Sequence, residues 1–187
     1  VIESLAEQGF PRSIFSMRES VFETLKKMEI HMRNHGREEK EISKLREAVL
    51  SIVEEHEMEA AHSTDLLPGI LDTLKTLKEM GLKLALFTVN GKKSTSYVLR
   101  VLRLRRLFDK VVTRESVSMV KPNPVHLEAA LKMLGVKPEE AVVVGDSVWD
   151  MKSARELKVI AVGVPTGVST PEELSREGAA YIISAVD

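Results

Sequence analysis

The sequence predicts an α/β protein: a parallel sheet flanked by helices, with a smaller all-helical domain ahead of it. Past residue 67, short apolar runs rich in Val, Ile and Leu alternate with stretches of helical period and stop at glycines, prolines or small polar residues. Before residue 66 no such run appears, and apolar residues instead recur at three- and four-residue steps among charges. Strands alternating with helices in this way argue for right-handed βαβ units. A chain of 187 residues is long enough for one sizeable domain, or for a core plus a small accessory domain.

The helical region comes first. Ile14, Met17, Val21, Leu25 and Met28 form one apolar stripe, and Ile42, Leu45, Val49 and Ile52 form a second. The first helix is expected to start near Pro11-Arg12-Ser13, and Asn34-His35-Gly36 breaks it from the next. Leu67-Pro68-Gly69 marks the boundary, separating residues 1–66 from residues 67–187. A helix over about 69–80 ends at Gly81, and the strand Lys83–Thr88 follows. A basic helix over 93–106 leads to the strand Lys110–Thr113. The helix after Pro124 ends at Gly135, ahead of a strand over 141–144 that reads as fully buried. After a short helix comes the strand Val159–Val164, and Thr170-Pro171-Glu172-Glu173 opens the last helix with an N-cap, a proline and an N3 glutamate. Tyr181–Ser184 is again strand-like.

Composition excludes several classes. There is no cysteine, hence no disulfide framework and no thiolate nucleophile or metal site. A net charge of −1 gives no bulk attraction to nucleic acid or acidic membranes. No apolar run approaches the ~20 residues of a membrane span, so a cytoplasmic protein is expected. The charged fraction of 29%, with one Gln and three Asn, is the balance of a thermophile protein.

Three strand ends carry chemistry. Gly145-Asp146-Ser147-Val148-Trp149-Asp150 closes the strand at 141–144 with two carboxylates and no basic residue between them, a candidate Mg²⁺ site. Read alone, Asp146 would serve equally as a helix cap and Asp150 as a solvated first-turn acid. Thr88, followed by Val89-Asn90-Gly91, offers a hydroxyl, an amide and free backbone N–H groups to phosphate oxygens, or else makes an ordinary turn. Lys121-Pro122-Asn123-Pro124 presents a lysine on stiff backbone, a point charge suited to a phosphoryl group or simply a surface residue. Each group follows a strand, and ligands of open α/β sheets bind at that edge.

Taken together, these motifs resemble the second, third and fourth motifs of the haloacid dehalogenase superfamily, in the branch of phosphatases with a helical cap such as phosphoglycolate phosphatases. The resemblance covers about residues 66–184. It implies a Rossmann-like core over 67–187, a helical cap over 1–66, Mg²⁺ dependence and a covalent aspartyl-phosphate. Carried over by position, Thr88 and Asn90 bind the transferring phosphoryl group. Lys121 offsets charge, Asp146 ligates Mg²⁺, and Asp150 ligates it or orients its waters. The family's first motif, an Asp-x-Asp whose first Asp is the nucleophile, has no counterpart. Asp occurs at 65, 72, 109, 146, 150 and 187, never in that pair. The nucleophile is therefore expected upstream of Val1.

The expected function is hydrolysis of a small phosphorylated metabolite, with no nucleic-acid or membrane partner. The alternatives are a metal-independent haloacid dehalogenase, or an inactive core that binds a phosphate ligand or a protein partner. Other features are set aside. His31 and His35 stand at a helix end, and the histidines of His56-Glu57-Met58-Glu59-Ala60-Ala61-His62 are too far apart for a zinc-protease motif. Arg100, Arg103, Arg105 and Arg106 lack the aromatic platforms of a nucleic-acid face. Trp149 is expected to pack near the site.

Overall fold

The computed structural model describes residues 20–184. The chain forms two compact units, one through Glu59 and the other from Ala60.

The first unit is built on helix α1 (Val21–Asn34) and most of helix α2 (Glu39–His62). Ser20 accepts the Glu23 N–H on its hydroxyl while the Glu23 carboxylate accepts the Ser20 N–H, a reciprocal cap that fixes the start of α1. The helix bearing Leu25 and Met28 thus begins at Val21. The start expected near Pro11–Ser13, with Ile14 and Met17, lies outside the described residues. As expected, α1 ends at the 34–36 break, where His35 is the C-cap and Gly36 takes φ 71°. Leu25, Met28 and Val49 are buried together, with Val21, Leu45, Leu50 and Val53 against them. On α2 the expected stripe includes the buried Ile42 and Val49, and Ile52 and Val53 are both half-buried, with Val53 against this cluster. Glu29 is buried beside this cluster and takes both oxygens to Arg46, at 2.6 and 2.7 Å.

The second unit runs α3 (Ile70–Glu79), β1 (Ala85–Phe87), α4 (Lys92–Val101), β2 (Lys110–Val112), α5 (Pro124–Leu134), β3 (Val142–Gly145), α6 (Val148–Glu156), β4 (Ile160–Gly163), α7 (Pro171–Glu177) and β5 (Tyr181–Ile182). Every strand pair is parallel, as the alternation predicts, but the strands form two sheets, β1-β2 and β3-β4-β5, instead of one. The reason is that β1 bonds only to β2 and β3 only to β4, and no described strand lies against their other edges. Helix α5 bridges the two sheets by packing on β1, β2 and α6.

The main core gathers Leu127, Leu131, Val143, Met151, Ala154, Val159, Ala161 and Leu174, drawn from α5, β3, α6, β4 with the residue before it, and α7, with Phe87 packed against it. Each large side chain buried there contributes roughly 1.5–3 kcal/mol. In the register Val143↔Ala161, these two side chains share the helix-covered face. Val142 and Val144 point to the other face and are 58% and 49% exposed, as is Ile160 at 50%. The strand expected to be fully buried is therefore buried on one face, because α5, α6 and α7 all pack on the same side of it.

Two element ends also differ from expectation. Helix α4 stops at Val101 rather than 106, since Arg103 adopts φ 58° and Leu104 folds back with its N–H on Leu99 O at 2.8 Å. This removes Arg105 and Arg106 from the helical face of Arg100. The first strand is shorter than Lys83–Thr88: before Ala85, Leu84 bonds to Asp109 instead of continuing the ladder. Among the described residues no helix is long and apolar enough to cross a membrane.

Candidate active site

Thr88 follows β1 directly. Its N–H donates to Val112 O at 2.9 Å, extending the β1-β2 pairing by one residue, and its Oγ1 accepts the Asn90 N–H at 3.2 Å. The turn so formed delivers Gly91 as N-cap of α4. At Gly91 the Arg114 guanidinium comes close: a Cβ there would lie 2.6 Å from Arg114 Nη2. Next to it, Glu115 accepts the Lys92 N–H at 3.0 Å and the Thr113 hydroxyl at 2.7 Å, tying the β1 loop to the β2 loop. Burial pushes the Glu115 carboxyl up, but the Thr113 hydroxyl, backbone N–H groups and Arg114 outweigh it and hold the group below its ordinary range. The Asn90 side chain is on the exposed side of this turn.

Lys121 lies beyond β2, before the cis peptide to Pro122. It is not a surface lysine. Its Nζ donates to Asp150 Oδ1 at 2.6 Å and sits 4.7 Å from the centroid of the Phe87 ring. The Lys121 and Asp150 side chains are 14% and 3% exposed.

Asp146 follows β3, and the cap of α6 is Ser147, whose Oγ accepts the Trp149 N–H at 3.0 Å. Asp146 is thereby released from the capping role it would otherwise fill. Asp150, one turn on, is buried rather than solvated. Two glycines make room for these acids. A Cβ on Gly145 would come within 2.5 Å of Asp150 Cγ, and one on Gly167 would overlap the Asp146 carboxylate. The Gly167 loop is tied to α6 by Ser169 Oγ, which accepts the Val148 N–H at 3.2 Å. Trp149 is half-buried on α6.

The Asp150 carboxyl is pushed up by burial; the Lys121 ammonium pulls it down, and the negative charge of Asp146 pushes it up again. Asp146, Asp150 and Lys121 are thus one electrostatic group. The Asp146 carboxylate accepts no protein hydrogen bond among the described residues. Two hard oxygen donors, one of them without a protein partner, fit a divalent cation such as Mg²⁺. No cluster of three or more His, Asp or Glu able to hold a metal occurs among the described residues, so water or phosphate oxygens would complete the shell. Thr88 makes no direct bond to this group among the described residues. It joins it through Phe87 and Val112.

Sequence reasoning missed His126. The imidazole is fully buried; Nδ1 is 3.3 Å from Lys121 N, Nε2 is 3.4 Å from Val112 O, and the ring meets Phe87 edge-on at 5.6 Å. Its signal lay in the α5 pattern, where His126 and Ala130 share one apolar face. Gly167 was missed as well, since a glycine between Thr166 and Val168 reads as an ordinary loop residue.

Residues 2–164 match the family model of haloacid dehalogenase-like hydrolases. The chain belongs to this family. The match reaches further toward the start of the chain than the motifs alone indicate, taking in the helical region. A phosphoglycolate phosphatase from Pseudomonas aeruginosa is 30% identical over 137 residues, which cover 73% of this chain and 50% of that protein. The pyrophosphatase PpaX of Halalkalibacterium halodurans is 38% identical over 100 residues, covering 54% and 44%. The crystal structure of a hydrolase from Pseudomonas syringae superposes with a TM-score of 0.66 at 32% identity, covering 78% of this chain and 66% of that one. The chain spans about half the length of the curated relatives it matches.

Proposed function

We propose that the whole protein is a cytoplasmic, Mg²⁺-dependent phosphatase that hydrolyses a small phosphorylated metabolite through an aspartyl-phosphate. The observation that carries this reading is the contact of Lys121 with Asp150 beside Asp146, next to the Thr88 turn. A haloacid dehalogenase needs no metal, so the Gly145-Asp146-Ser147-Val148-Trp149-Asp150 arrangement argues against it and favours phosphate chemistry. The named relatives include phosphatases acting on phosphoglycolate and pyrophosphate, and support the same class.

In this reading, the phosphoryl oxygens meet the Thr88 hydroxyl and the N–H groups of the 88–91 turn, with Asn90 at its outer side. Lys121, oriented by Asp150 and Phe87, offsets negative charge on the phosphoryl group and on the attacking carboxylate. Asp146 and Asp150 would hold Mg²⁺, which supplies further charge neutralisation. The nucleophile is an aspartate from a segment outside these 187 residues, since no Asp-x-Asp occurs within them. It attacks phosphorus in line, the P–O bond to the leaving group breaks, and the leaving oxygen takes up a proton. Water then cleaves the acyl phosphate, releasing inorganic phosphate and restoring the carboxylate. Residues 1–66 would serve as a cap that selects the leaving group.

The test is turnover of phosphate esters by the whole protein. Asp146→Asn or Lys121→Ala should each reduce it at least ~10²-fold, the scale for losing one electrostatic stabiliser. EDTA should abolish it. Haloacid turnover that survives EDTA, without phosphatase activity, would refute the assignment.

A further inference from the structure

We propose that His126 is the positioning residue that couples the Lys121 segment to the Thr88 turn, a role that rests on the phosphatase reading for its consequence but not for its geometry.

Its partners fix its tautomer. Lys121 N–H can only donate, so Nδ1 must accept; the proton is then on Nε2, which donates to Val112 O. Val112 O is also the acceptor for Thr88 N–H. One carbonyl therefore receives the backbone of the phosphate-side turn and the ring that holds the lysine's backbone. The edge of the same ring meets Phe87, and the Phe87 face carries Lys121 Nζ. His126 thus acts on Lys121 at both ends, on its N–H directly and on its ammonium through Phe87.

The ring is neutral as this requires. Burial is the main cause lowering its pKa to about 4; the bond to Val112 opposes this, and the Lys121 charge adds to it. A charged ring would have lost the Nδ1 acceptor. Being fully buried, His126 does not touch a ligand in solvent, so it acts only through Lys121, Phe87 and Val112.

Three variants of the full chain separate this role from volume filling. His126→Asn places an amide oxygen where Nδ1 lies and keeps the acceptor for Lys121 N–H. His126→Gln reaches Val112 O instead, and His126→Leu does neither. Two quantities are read: hydrogen-exchange protection of the Lys121 amide, and affinity for inorganic phosphate in the presence of Mg²⁺.

His126→Leu should lose the protection and weaken phosphate binding about 3- to 10-fold, the range for one hydrogen bond. His126→Asn should restore protection and most of the affinity. Unchanged Lys121 protection in the Leu variant, or no rescue by Asn, overturns the proposal. Should the Leu variant not fold, Asn against Gln decides: protection by Asn and not by Gln supports the role, and equal protection refutes it. Should the unaltered chain fail to bind phosphate, the phosphatase reading loses its support, while Lys121 protection still decides the role of His126.

Discussion

Lys121 Nζ and Asp150 Oδ1 lie 2.6 Å apart, with both side chains almost withdrawn from water. The ion pair links a residue that follows β2 to one on α6, and so joins the two sheets' strand-end loops. An ammonium and a carboxylate held this way are each costly alone, and their mutual attraction offsets that cost only while both are present.

Lys121→Ala should therefore destabilise the protein by about 3 kcal/mol, the scale for stranding one member of a buried pair. Adding Asp150→Asn should recover part of this loss. A urea double-mutant cycle measures the coupling, and strict additivity would show that the two groups are energetically independent.

His126 gives a pH dependence of definite sign. Its pKa falls from 6.5 to about 4 on folding, so between these values the unfolded chain binds more protons and stability rises with pH. The stabilisation is fully present above pH 6.5 and is lost as pH falls toward 4. The shift corresponds to about 3 kcal/mol. Denaturation of His126→Asn across this range should lack that slope.

Gly167→Ala brings a methyl group onto the Asp146 carboxylate. The core cluster does not involve this loop, so the free energy of unfolding should hold to within about 0.5 kcal/mol, as for surface changes. Mg²⁺ binding, followed by titration calorimetry, should weaken by at least ~10-fold, the scale of losing about 1.4 kcal/mol at a displaced ligand. Retained affinity would show that the Asp146 carboxylate does not need the room left by Gly167.

Mg²⁺ should raise the thermal midpoint of the unaltered chain, since a ligand that binds only the folded state stabilises it by mass action. In Asp146→Asn this dependence should vanish. Scanning calorimetry with and without Mg²⁺ distinguishes the two.

In the helical unit, Arg46→Ala leaves the buried Glu29 carboxylate without its bidentate partner. A loss of about 2 kcal/mol is expected, reduced from the fully buried case because Arg46 itself is half-exposed. Arg46→Lys should restore little of it, since an ammonium cannot reproduce the fork. Chemical denaturation provides the measurement.

Elements with a marked start and stop were legible in the sequence. α7 begins at Thr170 and Pro171 as its cap residues require, and α5 runs from Asn123 to Gly135 between an N-cap and a left-handed glycine. The end of α4 was not legible, because an arginine at φ 58° carries no sequence mark. The division into two sheets was equally hidden, since apolar runs announce strands but not their neighbours. At the site, Lys121, Asp146 and Asp150 could be named because their charges follow strand ends. His126 could not, since a buried neutral imidazole on an apolar helix face looks like core. Which residue caps α6 required geometry too: Asp146 and Ser147 are both good N-caps, and only the backbone decides between them.

Among the described residues, the separation of the sheets bears on how the site comes apart. Thr88 and Lys121 belong to the β1-β2 half, Asp146 and Asp150 to the β3-β4-β5 half, and no ladder bond joins the halves among the described residues. The Lys121–Asp150 ion pair and the packing of α5 on β1, β2 and α6 set the spacing between them. A slip of about 1 Å, enough to cost a well-aligned site about 10²-fold, would leave every strand, helix and core contact within each half intact. For these 187 residues, loss of phosphate binding under heat or mild denaturant should therefore run ahead of melting. A sample could look native by circular dichroism and no longer hold the anion.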